Sequence, residues 1–284
     1  MTRIKVSCPG SCGELFQCVV GGRECLLSYG IDQKSYLSLV ETGKSPEMLG
    51  QKMSYAMQRF SGTKNLLFDA HTDLPIGKGC SSSTADILVG IKLLSLVEGR
   101  AVSAEELTKF CTTIEPSDSV AFAHWTVLNP LTGEVVYQTN WQPHLWVYIL
   151  EPADTVDTLT LPRMTETKAY PAEKSEEIFR RFIEACEEEN IVKLGQVATL
   201  SARLNQQRLP KPYLEDIITI AEKQGAIGVN VAHSGTVLGI LLPFDRKESI
   251  AALEEELARH PLASYYQERK LSPIIFEGLR QIKE

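Results

Sequence analysis

The stretch Pro75-Ile76-Gly77-Lys78-Gly79-Cys80-Ser81-Ser82-Ser83-Thr84-Ala85 stands between an alternating segment (Leu66, Phe68, Ala70) and a run in which Ile87, Ile91 and Leu94 recur at helical spacing. A strand that feeds a helix through a turn this rich in Gly and Ser is a narrow constraint on the fold. Gly77 and Gly79 permit positive φ and let a ligand approach the backbone closely. The hydroxyls of Ser81, Ser82, Ser83 and Thr84 gather at a helix N-terminus, where unsatisfied N–H groups and the helix dipole favour an anion. Lys78 adds a positive charge within the loop. The segment reads as a phosphate cradle built from Pro75, Gly77, Lys78, Gly79, Cys80, Ser81, Ser82, Ser83 and Thr84. It is not a Walker A loop, because Gly-Lys-Ser/Thr is missing at the required spacing. The alternative, a flexible turn with a Ser cap, suits a lone Gly-x-Gly better than a string of this length.

Around the cradle the periodicity predicts an α+β order in two halves. Strands are expected over Arg3 to Cys8, Lys34 to Glu41 and Lys64 to His71. Ser45-Pro46-Glu47 should open a helix with Ser45 as its cap, and Leu49, Met53, Ala56, Met57 and Phe60 as its apolar stripe. The cradle helix should run from about Thr84 to Val97, with Gly99 at its C-terminal cap. Ser103-Ala104-Glu105-Glu106 reads as a capping box. Glu134 to Thr139 and Leu145 to Leu150 look like a strand pair. Pro152 to Lys174, without periodicity, is the expected boundary between domains 1–155 and 156–284. Helices at about 175–189, 191–204 and 211–224 then precede a strand–turn–strand across Ser234-Gly235. A helix over Glu248 to Arg259 and a short strand near Pro273 to Phe276 close the chain.

Composition narrows the function classes. A chain of 284 residues suits two ordinary domains, and 43% hydrophobic with 23% charged residues can bury a core. Lys+Arg 29 against Asp+Glu 36 leaves a net charge of −7, which lacks the basic footprint of a nucleic-acid binder. No apolar run approaches the roughly 18 residues that span a bilayer, and the first residues show no signal-peptide core, so a cytoplasmic protein is expected. Four of the seven cysteines crowd into the first 25 residues. With no CxxC pair and no nearby His they read as reduced apolar residues rather than a zinc site.

The cradle string resembles the second motif of the GHMP kinases, written P-x-G-x-G-L-G-S-S-A-A, with Cys80, Ser81 and Thr84 as departures. Cys8-Pro9-Gly10-Ser11-Cys12-Gly13-Glu14 resembles their N-terminal motif in shortened form, with Ser11 where Lys is common. Gly228 to Gly239 resembles their C-terminal glycine motif, though poorer in Gly. Pro-Gly-Ser-Cys-Gly-Glu-Leu, Ser-Ser-Thr-Ala-Asp, Glu-Pro-Ser-Asp-Ser and Ala-His-Ser-Gly-Thr-Val together look like the subfamily of L-threonine kinases of cobalamin biosynthesis, the propanediol-utilisation type included.

The resemblance implies an N-terminal domain of the ribosomal-protein-S5 type, a ferredoxin-like C-terminal domain, and ATP with Mg²⁺ bound near their interface. It implies phosphorylation of L-threonine to O-phospho-L-threonine. Another small-molecule GHMP kinase, acting on homoserine or a sugar, and a catalytically silent protein on the same fold are the alternatives. By motif position, Ser83 and Glu115 are the implied Mg²⁺ ligands, and Asp118 orients or deprotonates the substrate hydroxyl. Read from its residues alone, Asp118 is equally a turn-forming Asp after Pro116. Glu14 and Asp32 are candidates for an ammonium group of the substrate, or solvated loop carboxylates. Asp86 is a candidate beside the cradle, or a complement to the helix dipole. His233, with Ser234 and Gly235 of the same turn, is a candidate to face the substrate, or structural.

Overall fold

The computed structural model describes residues 4–61, 65–156 and 171–283. The chain opens with β1 (Lys5–Pro9), the hairpin β2 (Glu14–Val20) and β3 (Arg23–Ser28), the short β4 (Gly30–Ile31) and β5 (Lys34–Val40). Gly21 and Gly22 turn the hairpin with φ of +55° and +76°, the signs a two-residue type I′ turn requires. Periodicity does not announce these two strands. β2 is buried on both faces over Glu14 to Cys18, and β3 from Glu24 onward, so polar/apolar alternation is absent.

Beyond β5 come α1 (Gln51–Phe60), β6 (Leu67–Thr72), α2 (Ser82–Val97) and α3 (Ala104–Thr112). The helix expected from Ser45 is broken. Pro46–Met48 forms only a 3₁₀ turn, Leu49 is extended, Ser45 makes no side-chain cap bond, and α1 restarts after Gly50. Lys64, the first residue of one expected strand, lies outside the described residues. α2 is buried nearly all round, as befits a helix in the middle of a layered structure. Ser103 and Glu106 close both arms of the capping box at α3.

The rest comprises β7 (Trp125–Leu128), β8 (Val135–Thr139), β9 (Leu145–Glu151), α4 (Ala172–Glu187), α5 (Ile191–Asn205), α6 (Leu214–Lys223), β10 (Gly228–Val231), β11 (Leu238–Pro243), α7 (Lys247–Arg259), β12 (Glu268–Ile275) and β13 (Arg280–Ile282). A four-stranded sheet has the order β13-β1-β5-β6, and a nine-stranded sheet has the order β4-β12-β9-β11-β10-β2-β3-β7-β8. The expected pairing of Glu134–Thr139 with Leu145–Leu150 does not form. β8 joins β7 at the sheet edge, half exposed, whereas the apolar β9 runs between β11 and β12.

Strands from both sides of residue 155 share the large sheet, where Val231 of β10 pairs with Glu14 of β2. A buried polar bridge ties that seam. Asn230 Nδ2 donates to the carbonyls of Cys12 and Glu14 at 2.6 and 3.0 Å, and Tyr29 donates its hydroxyl to Asn230 Oδ1 at 2.7 Å. The segment expected to divide the domains lies largely outside the described residues, at 157–170. All seven cysteines are free and buried. Among the described residues no helix is long and apolar enough to cross a membrane.

Candidate active site

Three segments far apart in sequence meet at the N-terminus of α2. Ser11 N–H donates to the Cys80 carbonyl at 3.1 Å and Gly13 N–H to the Gly79 carbonyl at 3.0 Å. From the other side, Thr236 and Val237 donate to the Lys78 carbonyl at 2.8 and 3.1 Å. Gly79 has φ +86°, and a Cβ there would lie 2.5 Å from the Ala232 Cβ. A Cβ on Gly235 would lie 2.3 Å from the Lys78 carbonyl oxygen. The two glycines are therefore where the turn between β10 and β11 presses onto the cradle.

Ser81 caps α2 in the left-handed region, φ +56° and ψ 21°, which costs a non-glycine residue energy. Its hydroxyl meets that of Ser11 at 2.5 Å, so Ser11 supplies support to the cap rather than charge. A cavity of about 340 Å³ opens in front of this helix end. Gly77, Gly79, Cys80, Ser81, Ser82, Ser83 and Thr84 line it, together with Glu14, Glu115, Asp118 and Ser234.

Ser83 Oγ and Glu115 Oε1 are buried there without a hydrogen-bond partner among the described residues. The other Glu115 oxygen pairs with the Lys52 ammonium. Orphaned polar atoms of this kind call for a missing partner. A hydroxyl and a carboxylate are hard oxygen donors that suit Mg²⁺, whose remaining sites are filled by water and phosphate oxygens. No cluster of three or more His, Cys, Asp or Glu that could cage a metal exists among the described residues. The two donors thus fit a cation that arrives with its phosphate.

Asp118 accepts a hydrogen bond from Ser28 Oγ at 3.1 Å, with the Ser81 hydroxyl as a second donor. Desolvation, and then the negative charge of Glu14, push its carboxyl up to about 7, against which the two hydroxyls pull. Glu14 is itself buried and takes two hydrogen bonds from His233.

The structure does not bring every expected residue to the cavity. Lys78 is corrected first. Its ammonium is buried and donates to the carbonyls of Pro152, Ala153 and Asp154, the last two at 2.7 and 2.9 Å, so it staples a neighbouring segment instead of meeting a phosphate. Pro75 lies in a separate depression with Thr72 and Lys270. Asp86 accepts from Ser35 of β5 and is absent from the cavity wall; α2 begins at Ser82, so Asp86 also falls beyond the first turn. Asp32 is an exposed carboxylate that accepts from Ser272 Oγ at 2.7 Å. His233 is wholly buried behind Glu14, and Gly235 serves packing. Lys52 and Arg208 line the cavity without having been expected. Lys52 sits in an ordinary amphipathic helix and Arg208 in a polar stretch beyond α5, so neither position carries a sequence signal.

The GHMP kinases N-terminal domain family model matches residues 49–125, and the GHMP kinases C-terminal model matches residues 182–261. Together they span more than half of the chain. The chain belongs to the GHMP kinases. This GHMP kinase is 29% identical over 283 residues to an L-threonine kinase of Salmonella typhimurium, covering 96% of this chain and 94% of that one. It is 28% identical over 281 residues to an L-threonine kinase of Citrobacter freundii, covering 96% and 97%. Among solved structures, a putative homoserine kinase of Listeria monocytogenes superposes with a TM-score of 0.74 at 19% identity over 99% of this chain and all of that one. A mevalonate kinase of Methanococcus jannaschii gives 0.67 at 16% identity over 99% of each. The GHMP kinase fold expected from the motifs is the fold observed.

Proposed function

We propose that this GHMP kinase transfers the γ-phosphoryl group of ATP to the side-chain hydroxyl of L-threonine, giving O-phospho-L-threonine for the aminopropanol linker of cobalamin. The observation that carries the kinase chemistry is the convergence, on one cavity, of the α2 N-terminus, the unpartnered Ser83 and Glu115 oxygens, and a carboxyl whose proton affinity is raised. The choice of threonine is supported by the two curated relatives over nearly their whole length.

Phosphoryl transfer needs positioning and charge neutralisation more than covalent help. The N–H groups at the start of α2, with Ser81 and Ser82, take the nucleotide phosphates. Ser83 and Glu115 hold Mg²⁺, which when bound neutralises charge on the transferring phosphate. Asp118 accepts the proton of the threonine hydroxyl at its carboxylate as that oxygen attacks, a task suited to a group poised near neutral pH. Glu14 offers an acceptor for the substrate ammonium, and Arg208 offers a cation for its carboxylate. The result is a wall complementary to an amino-acid zwitterion.

The test is a panel of L-threonine, L-serine, L-homoserine and galactose with ATP and Mg²⁺, read by ADP release. Threonine is expected to give the highest kcat/KM, at least about tenfold above homoserine, the discrimination that one misplaced contact produces. A higher value for homoserine or galactose overturns the substrate, and ADP release from none of them overturns the kinase reading.

A further inference from the structure

Lys52 holds the one carboxylate that the proposed reaction needs for its cation. Its ammonium pairs with Glu115 Oε2, while Glu115 Oε1 beside it has no partner among the described residues. The two side chains differ in freedom: Glu115 is 7% exposed and Lys52 is 41% exposed. A buried carboxylate requires a counter-charge, and a lysine whose outer stem is in water can supply one and withdraw it.

The charge inventory of the cavity sharpens this. Ser11 replaces the lysine common in the first motif and spends its hydroxyl on Ser81. Lys78 spends its ammonium on three carbonyls of the neighbouring segment. Among the described residues, the lysine and arginine side chains on the cavity wall are Lys52 and Arg208, and Arg208 donates to the carbonyl of His233, the residue bonded to Glu14, at 2.8 Å. Among the described residues, the cation that a polyphosphate at the α2 N-terminus meets beside Glu115 is therefore Lys52, and it is engaged.

We propose that Lys52 is a stand-in for the divalent cation: it neutralises Glu115 in the ligand-free protein, yields that carboxylate when Mg²⁺ enters, and transfers its ammonium to the phosphate oxygens. This rests on the reading of Ser83 and Glu115 as the metal site. The device keeps the buried carboxylate paired at every stage. It also makes metal and nucleotide bind together, because the cation frees the lysine that the phosphates require.

The signature is a pair of changes of opposite sign. In Lys52→Met the competitor for Glu115 is gone, so Mn²⁺ added without nucleotide, followed by electron paramagnetic resonance of the free ion, binds about three- to tenfold more tightly. The same variant binds Mn²⁺ with a non-hydrolysable ATP analogue about three- to tenfold more weakly in calorimetry, because the phosphate contact is lost. Lys52→Arg keeps the charge and leaves both constants within about threefold of the parent. Lys52→Gln replaces the Met variant if circular dichroism shows the latter unfolded. Opposite shifts support the proposal. Either constant unchanged, or both moving the same way, overturns it. Glu115→Gln distinguishes the two levels. If it leaves Mn²⁺ binding intact, the metal-site reading falls and the proposal with it. If it abolishes Mn²⁺ binding while Lys52→Met changes nothing, only the role of Lys52 falls.

Discussion

His233 donates its backbone N–H and its ring Nδ1–H to one carboxylate oxygen, Oε2 of Glu14, at 2.8 and 3.1 Å. An ionised carboxylate only accepts, which places the ring hydrogen on Nδ1, and Nε2 faces the Ser201 hydroxyl at 2.9 Å. Burial lowers the proton affinity of His233 against the pull of the Glu14 carboxylate, and so favours the neutral ring. Glu14 is thereby fixed in orientation at the back wall of the cavity, where its negative charge raises Asp118.

Glu14→Gln should therefore alter how activity depends on pH. If Asp118 is the base it must be ionised to accept a proton, and the acidic limb of kcat/KM then reports its titration. Without the neighbouring negative charge that limb moves to lower pH. A pH profile of kcat/KM from 5 to 9 is the measurement, and an unmoved limb means that Glu14 does not set the carboxyl.

Asp118→Asn should lower kcat and kcat/KM together, by about 10²–10⁴-fold, if Asp118 is the base. Residues 116–118 form no turn, and Asn can still accept from Ser28, so a purely structural residue would leave activity within about tenfold. The stability effect runs the other way. A carboxyl whose folded-state affinity for the proton is raised favours the folded state while protonated. That contribution fades as pH climbs from the unfolded value near 4 to about 7. Above that pH the buried charge is a burden of order 4 kcal/mol that Asn lacks. Denaturant melts at pH 8 should find Asp118→Asn at least as stable as the parent.

Lys78→Met should cost stability rather than nucleotide affinity. Three carbonyl contacts to a buried ammonium are lost, and about 2 kcal/mol is expected from chemical denaturation. ATP affinity measured well below the melting transition should change less than about fivefold. A large affinity loss at unchanged stability would return Lys78 to the phosphates.

Gly79→Val places a β-branched side chain at φ +86°, against Ala232 and the Cα of Gly235. Calorimetry on protein shown by circular dichroism to be folded should find nucleotide binding abolished. Unchanged ATP affinity would remove the loop from the binding site.

What could be read in advance follows the range of the physics involved. Gly77, Gly79 and the Ser run are local signals, since a turn and a helix N-terminus are decided by neighbours in sequence. The same holds for the Ser103 capping box and for α4, α5 and α6, each with its own periodicity or cap. Glu115 and Asp118 were reachable through motif position, and the structure places both on the cavity wall. Lys78 was misread because the direction of a charged side chain depends on the carbonyls of residues 152–154, which sequence does not bring near. Lys52 and Arg208 were unreadable for the same reason, as was the hairpin of β2 and β3, whose two-sided burial erases alternation. Asp86 lies within a few residues of the cradle yet points to Ser35, so proximity in sequence misled where helix rotation decides.

The cradle is assembled from residues 11–13, 77–80 and 232–237, so its hydrogen bonds join positions that are far apart in sequence. Contacts of that kind bear their loop-closure entropy before they return any energy, which places them late in folding. A nucleotide that needs all three segments together therefore favours the finished structure over a partly folded chain. Ligand at a hundred times its dissociation constant then stabilises that state by about 2.7 kcal/mol relative to intermediates that do not bind it. ATP in the growing cell would act on this chain as a folding-state selector before it acted as a substrate.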